Sequence, residues 1–121
     1  MKTTRLTTGL FGLLLLLAWP LVSSAHTHME KSSPAKGAQL TAAPKSVELW
    51  FSSKVAAEWS TIKVTDSGGK QVDKGEVSSG DDPDHLSVDL QALPAGHYDV
   101  HWNAISGDGH RVKGSFSFEV K

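Results

Sequence analysis

Apolar and polar residues alternate along most of this chain, the period of strands that bury one face. Val47, Leu49 and Phe51 alternate after Pro44, and Ile62 and Val64 follow Trp59 until the turn sequence Asp66-Ser67-Gly68-Gly69. Val72 and Val77 fit a shorter, weaker strand, and the polar run Ser78 to Asp84 reads as a surface loop. Leu86, Val88 and Leu90 alternate next, before Leu93-Pro94-Ala95-Gly96 turns the chain again. Tyr98, Val100, Trp102 and Ala104 then place an apolar stripe on a long strand. Phe116, Phe118 and Val120 do the same on the last one, with Ser117 and Glu119 facing water. No window has a convincing helical period, and no internal repeat is present. About seven short strands separated by turns predict an all-β domain, a small Greek-key β-sandwich or β-barrel. The pattern alone does not give strand pairing or order.

This stripe pattern assigns Tyr98, Trp102, Phe116 and Phe118 to the core, where aromatics contribute most of the buried area of a small domain. Trp50 is out of phase with Val47, Leu49 and Phe51. It is expected to face outward, covering the other side of its sheet or marking a contact surface. Met29 is expected to pack in the first strand.

One segment breaks the alternation. Lys2 and Arg5 charge the start, Leu10 to Val22 form an apolar run with five consecutive leucines, and Ser23-Ser24-Ala25 supplies small residues for cleavage. These are the parts of a secretory signal peptide, residues 1–25. Cleavage after Ala25 would leave one domain, residues 26–121, without a membrane anchor. The chain has 12 basic and 13 acidic residues. The leader takes Lys2 and Arg5, so the mature domain carries 10 against 13, a formal charge of −3. With no basic patch or Arg-rich run, nucleic acid is not an expected partner. There is no cysteine, hence no disulfide and no thiolate, and of the two methionines only Met29 survives cleavage. Any metal chemistry is therefore nitrogen and oxygen chemistry, which suits Cu(II), Ni(II) or Zn(II) rather than Cu(I).

Cleavage would begin the mature chain at His26-Thr27-His28 and put a free α-amine on a histidine. The amine and Nδ1 of His26 can chelate one ion in a six-membered ring, and a distant histidine would complete a histidine brace. The plainer reading is a frayed end. His28 adds a local rival, an amine–amide–amide–imidazole Cu(II) motif. That mode requires deprotonated Thr27 and His28 amides and a flexible terminus, and a strand starting at 27 or 28 would disfavour it. His26 and His28 share a face of an extended segment. His28 is therefore a ligand, a support for one, or an exposed neighbour, and the supporting role ranks first.

Near the far end, Asp108 and His110 also share a face, and Gly109 between them permits a bend. The plainer reading is a hairpin turn, Ser106-Gly107-Asp108-Gly109, with the histidine a bystander. His97 and His101 alternate away from the Tyr98–Trp102 stripe, as an exposed strand face explains. His85, beside Asp81, Asp82 and Asp84, is either a weak secondary metal site or part of a solvated loop.

Taken in order, these residues resemble the CopC family of periplasmic copper-binding and copper-resistance proteins, also written PcoC or YobA-like. The matching features are a leader ending at H-x-H, Ser32-Ser33-Pro34-Ala35-x-Gly37, and Leu49-x-Phe51-Ser52. They continue with G-x-Y-x-V-x-W-x-A-x-S-x-D-x-H and G-x-F-x-F-x-V between Gly96 and Val120. The resemblance covers essentially the whole mature chain. It implies a seven-stranded Greek-key β-barrel of cupredoxin type and one Cu(II) ion held by His26, Asp108 and His110. Some members add a methionine-rich Cu(I) loop, but the stretch from Ser79 to His85 has no methionine, so a Cu(II)-only member is implied. Many members carry an acidic residue after the Phe-Ser pair where this chain has Ser53-Lys54.

The implied role is a monomeric periplasmic copper carrier or buffer, not an enzyme, working with an inner-membrane copper transporter. Its affinity should fall steeply below about pH 6, where protons compete for amine and imidazole nitrogens. Two other classes compete. One is an oxidative copper enzyme using the brace, which ascorbate-driven oxidation would reveal. The other is a metal-free interaction module acting through the Trp50 face.

Overall fold

The apolar stripes become the inner faces of two sheets. The structure, a computed structural model, describes residues 26–121, so the leader reading lies outside the described residues. Its strands are β1 (Met29–Ser33), β2 (Gln39–Leu40), β3 (Ser46–Phe51), β4 (Thr61–Asp66), β5 (Asp73–Ser79), β6 (His85–Leu90), β7 (Gly96–Ile105) and β8 (Arg111–Val120). A 3₁₀ turn at Ala57–Trp59 lies between β3 and β4. One sheet has the order β1-β3-β6-β5 and the other β2-β8-β7-β4. The pairs are antiparallel except β2 with β8.

This is the expected all-β Greek-key sandwich, and its two sheets do not close into a barrel. The strand beyond the expected seven is β2, whose two residues are too few to show an alternation. Among the described residues no helix is long and apolar enough to cross a membrane.

Val47, Leu49 and Phe51 of β3 and Leu86, Val88 and Leu90 of β6 face Ile62, Val64, Tyr98, Val100, Ala104, Phe116 and Phe118 across the core. Phe51 meets Trp102 edge-on with centroids 5.2 Å apart, joining the two layers. Burying each such side chain contributes roughly 1.5–3 kcal/mol, which lets a domain without disulfides stand on its core. The Tyr98 hydroxyl donates to the Pro94 carbonyl and pins the turn into β7.

Trp50 faces outward, as its phase predicts, and it is covered there. The His85 ring stacks on it with centroids 4.6 Å apart and planes 6° from parallel, and Lys31 Nζ lies 4.3 Å from its ring centroid.

Asp73 had no signal in the alternation. It is 5% exposed, and its carboxylate accepts from Val64 N at 2.8 Å, Gly75 N at 2.9 Å and Gln71 Nε2 at 3.0 Å. It thereby ties β4 of one sheet to β5 of the other. Asp73→Ala strands a buried main-chain donor and should cost roughly 2–4 kcal/mol. Thermal unfolding checks this, with Asp73→Asn expected to recover part of the loss. Gly75, at φ +84°, takes up the register irregularity that follows Asp73. Past it β5 runs on to Ser79, so the loop is shorter than the polar run suggests.

Three pieces of chain meet at one end of the sandwich. β7 and β8 are joined there by residues 106–110, and β1 starts there with Met29 opposite Phe51. The segment leaving β3, Ser52 to Val55, crosses between them. Ser52 N donates to the His28 carbonyl at 2.9 Å, Gly107 N donates to the Lys54 carbonyl at 2.9 Å, and Val55 bridges to Ser106. The segment before β1 and the β7–β8 turn are thus laced to one short connection.

Candidate metal centre

Ser106 organises the β7–β8 turn. It is 4% exposed, its N–H donates to the His110 carbonyl at 2.8 Å, and its carbonyl accepts from Gly109 N at 2.9 Å. Its hydroxyl donates to Asp108 Oδ1 and accepts from His110 N at 3.1 Å. Gly109, at φ +89°, occupies a left-handed position that a β-carbon would strain. The hairpin turn and the paired donors, which the sequence offers as rival readings, are one object.

Asp108 Oδ2 lies 2.9 Å from His110 Nδ1, and Oδ1 accepts from His110 N at 3.2 Å. The Ser106 hydroxyl first, then the His110 ring and main-chain N–H, hold the Asp108 carboxyl well below the usual carboxylate range. With that carboxylate ionised, Nδ1 is the protonated nitrogen of His110, and Nε2 carries the lone pair a metal would take. The His110 and Asp108 side chains are 80% and 68% exposed, so they are open to an arriving ion.

His26 and Thr27 line a cleft of about 490 Å³ with Ser106, Asp108, His110, Arg111 and Val112. The fold therefore brings His26, Asp108 and His110 to one hollow. Among the described residues, no three His, Cys, Asp or Glu side chains draw together as a ready metal cluster.

His28 is placed by its main chain. Its N–H donates to Ser52 Oγ at 3.0 Å, and its Nδ1 lies 3.2 Å from the His26 carbonyl oxygen. Although β1 begins only at Met29, the His28 amide is already tied down. Thr27 Oγ1 pairs with Ser53 Oγ beside a smaller hollow of about 310 Å³, which Lys54, Gly107 and Asp108 also line.

The other histidines lie elsewhere. His85 is buried between Trp50 and Gly80, where an added β-carbon would fall 1.5 Å from Nδ1, and its Nε2 is 3.3 Å from Glu48 Oε1. It is a packed element of the outer face, and the acidic residues beside it form no metal cluster with it. His97 sits on the exposed outer face between Asp99 at 3.1 Å and Glu119 at 3.7 Å, and His101 is exposed on the same strand. Sequence reasoning missed Ser106, Ser52 and Ser53. The spacing Ser-x-Asp-x-His carried a signal for Ser106, because a serine hydroxyl reaches groups two residues on in a turn.

A sandwich with two donors on its β7–β8 turn and a histidine arm beside it defines a class. Residues 29–121 match the family model of the CopC domain, and the chain belongs to the CopC family. It is 38% identical over 110 residues to the copper transport protein CutJ of Bacillus subtilis (strain 168). That match covers 89% of this chain and 20% of CutJ, so the chain spans about a fifth of that relative's length. Among solved structures, CopC from Methylosinus trichosporium OB3b superposes with a TM-score of 0.74 at 34% identity, covering 79% of this chain and 94% of that one. PcoC, a methionine-rich copper resistance protein from Escherichia coli, superposes at 0.70 with 33% identity, covering 80% and 100%.

Proposed function

We infer that this protein binds Cu(II) in the periplasm and carries or buffers it in copper resistance and homeostasis, after cleavage between Ala25 and His26. One observation carries the reading: His26 lines the same cleft as an Asp108–His110 pair whose hydrogen bonds leave Nε2 as the donor nitrogen. The donors are the α-amine and Nδ1 of His26 and Nε2 of His110. Asp108 orients the His110 ring and offsets part of the ion's charge. Nitrogen and oxygen donors of this kind favour Cu(II), and a chain with no cysteine and two methionines offers little to Cu(I).

The mature domain acts as a monomer that holds one ion without turnover. Its partner is an inner-membrane copper transporter. In support, the matching part of CutJ is one fifth of a longer copper transport protein.

A Cu(II) titration of mature protein, followed by EPR, tests the reading and should saturate at one ion per chain. Asp108→Asn should weaken binding by about 10–100-fold while stability is kept. A second equivalent of equal affinity, or an unchanged Asn variant, contradicts it.

A further inference from the structure

The terminal histidine can enter two different copper sites, and the structure contains a device that chooses between them. In the cross-strand site, His26 joins His110. In the local site, His26 joins His28, with the main-chain nitrogens of Thr27 and His28 as the two remaining ligands. The local chelate needs copper to replace the main-chain N–H protons of Thr27 and His28, which leave to solvent, and needs residues 26–28 to curl around the ion. Both requirements collide with Ser52, whose hydroxyl accepts the His28 N–H at 3.0 Å and whose own N–H donates to the His28 carbonyl at 2.9 Å. Thr27 is held alongside by Ser53. The same connection grips the β7–β8 turn through Lys54 and Val55.

We propose that Ser52, assisted by Ser53, is a positioning and specificity-determining residue that keeps the histidine arm extended, so that copper is shared with His110 and not wrapped by His26-Thr27-His28. This rests on the proposed function, because it presumes a mature terminus at His26. The two serines do not touch the ion. They remove its alternative.

The test uses mature protein starting at His26, with Cu(II) EPR and visible spectra of wild type, Ser52→Ala/Ser53→Ala and Ser52→Thr, each with and without His110→Ala. In wild type, His110→Ala should cut affinity by more than roughly 100-fold. In the double-serine variant, the cost of His110→Ala should shrink by roughly five- to tenfold relative to wild type, and the double-serine protein that also lacks His110 should show the spectrum of a four-nitrogen chelate with a higher-energy d–d band. A lost hydrogen bond to an exposed arm shifts such a balance by roughly five- to tenfold. Ser52→Thr keeps a hydroxyl and should keep the wild-type dependence on His110, which a general weakening of the fold would not predict.

A double-serine variant with undiminished dependence on His110 overturns the inference and leaves the proposed function standing. So does a Ser52→Thr protein that behaves like the alanine variant. Wild type that binds copper without His110 overturns both.

Discussion

Replacing His110 with alanine should lower the affinity of the mature protein for Cu(II) by more than about 100-fold and leave its stability almost unchanged. The first half follows from the donor set. Removing a supporting partner already costs 10–100-fold at metal sites, and in the proposed site His110 would supply the one nitrogen that does not come from the terminal residue. The second half follows from the turn. Ser106 and main-chain bonds close it, whereas the His110 side chain is 80% exposed and pairs with the exposed Asp108 carboxylate. Surface changes of this kind stay within about 0.5 kcal/mol. Calorimetric or competitive Cu(II) titration beside thermal unfolding reads both quantities. Wild-type affinity in the alanine variant would mean that the terminal residues bind the ion by themselves.

Adding one residue before His26 has an effect of the same order, and for a different reason. Every side chain remains, but the His26 nitrogen becomes a peptide nitrogen and the two-point chelate on that residue is lost. Affinity should drop by more than about 100-fold with a changed EPR spectrum, and equal binding by the extended and native forms would place the ion elsewhere. The pH profile separates the donors further. Asp108 is held well below the usual carboxylate range by Ser106 and His110, so it stays ionised as the solution is acidified. Binding is therefore lost as pH falls through the range where imidazoles and amines take up protons, before carboxylates do, and loading the metal releases protons. A profile that broke only near pH 4 would point to carboxylate ligands.

The architecture was legible where a physical period existed. Val47–Leu49–Phe51, Leu86–Val88–Leu90 and the stripe from Tyr98 to Ala104 all bury the side their alternation marks, and Trp50 faces out because it breaks that phase. β2 was illegible because two residues have no period. Its parallel pairing with β8 is a fact of tertiary docking. Asp73 was illegible because nothing in a Val-Asp-Lys-Gly run says that its carboxylate will be buried beneath another strand's amide.

At the candidate centre, the residue types and the spacing of Asp108 and His110 were readable, and so was the interest of His26. The connection Ser52–Val55 was not readable, because its effect lies in main-chain bonds of an irregular segment. His85 misled for the opposite reason. Its acidic neighbours in sequence suggested a loop in water, while pairing of β3 with β6 carried its ring onto Trp50.

The two halves of the cleft differ in mechanical standing. The His110 half closes a hairpin of two ten-residue strands whose register is unbroken from Gly96 to Ile105. The His26 half hangs from β1, an edge strand with a neighbour on one side and a register shift between Met29 and Lys31. Local opening starts at such edges, with free energies far below that of global unfolding. Hydrogen exchange should be faster at His28, whose N–H is held by a single side-chain hydroxyl, than in the β7–β8 ladder. An ion held between them has an exit that needs no unfolding. On the proposed reading, the arm would lift, the ion would remain on the rigid turn, and an acceptor would fill the vacated positions. Residence time is then set by a hinge of a few hydrogen bonds, and affinity and exchange rate can be tuned separately.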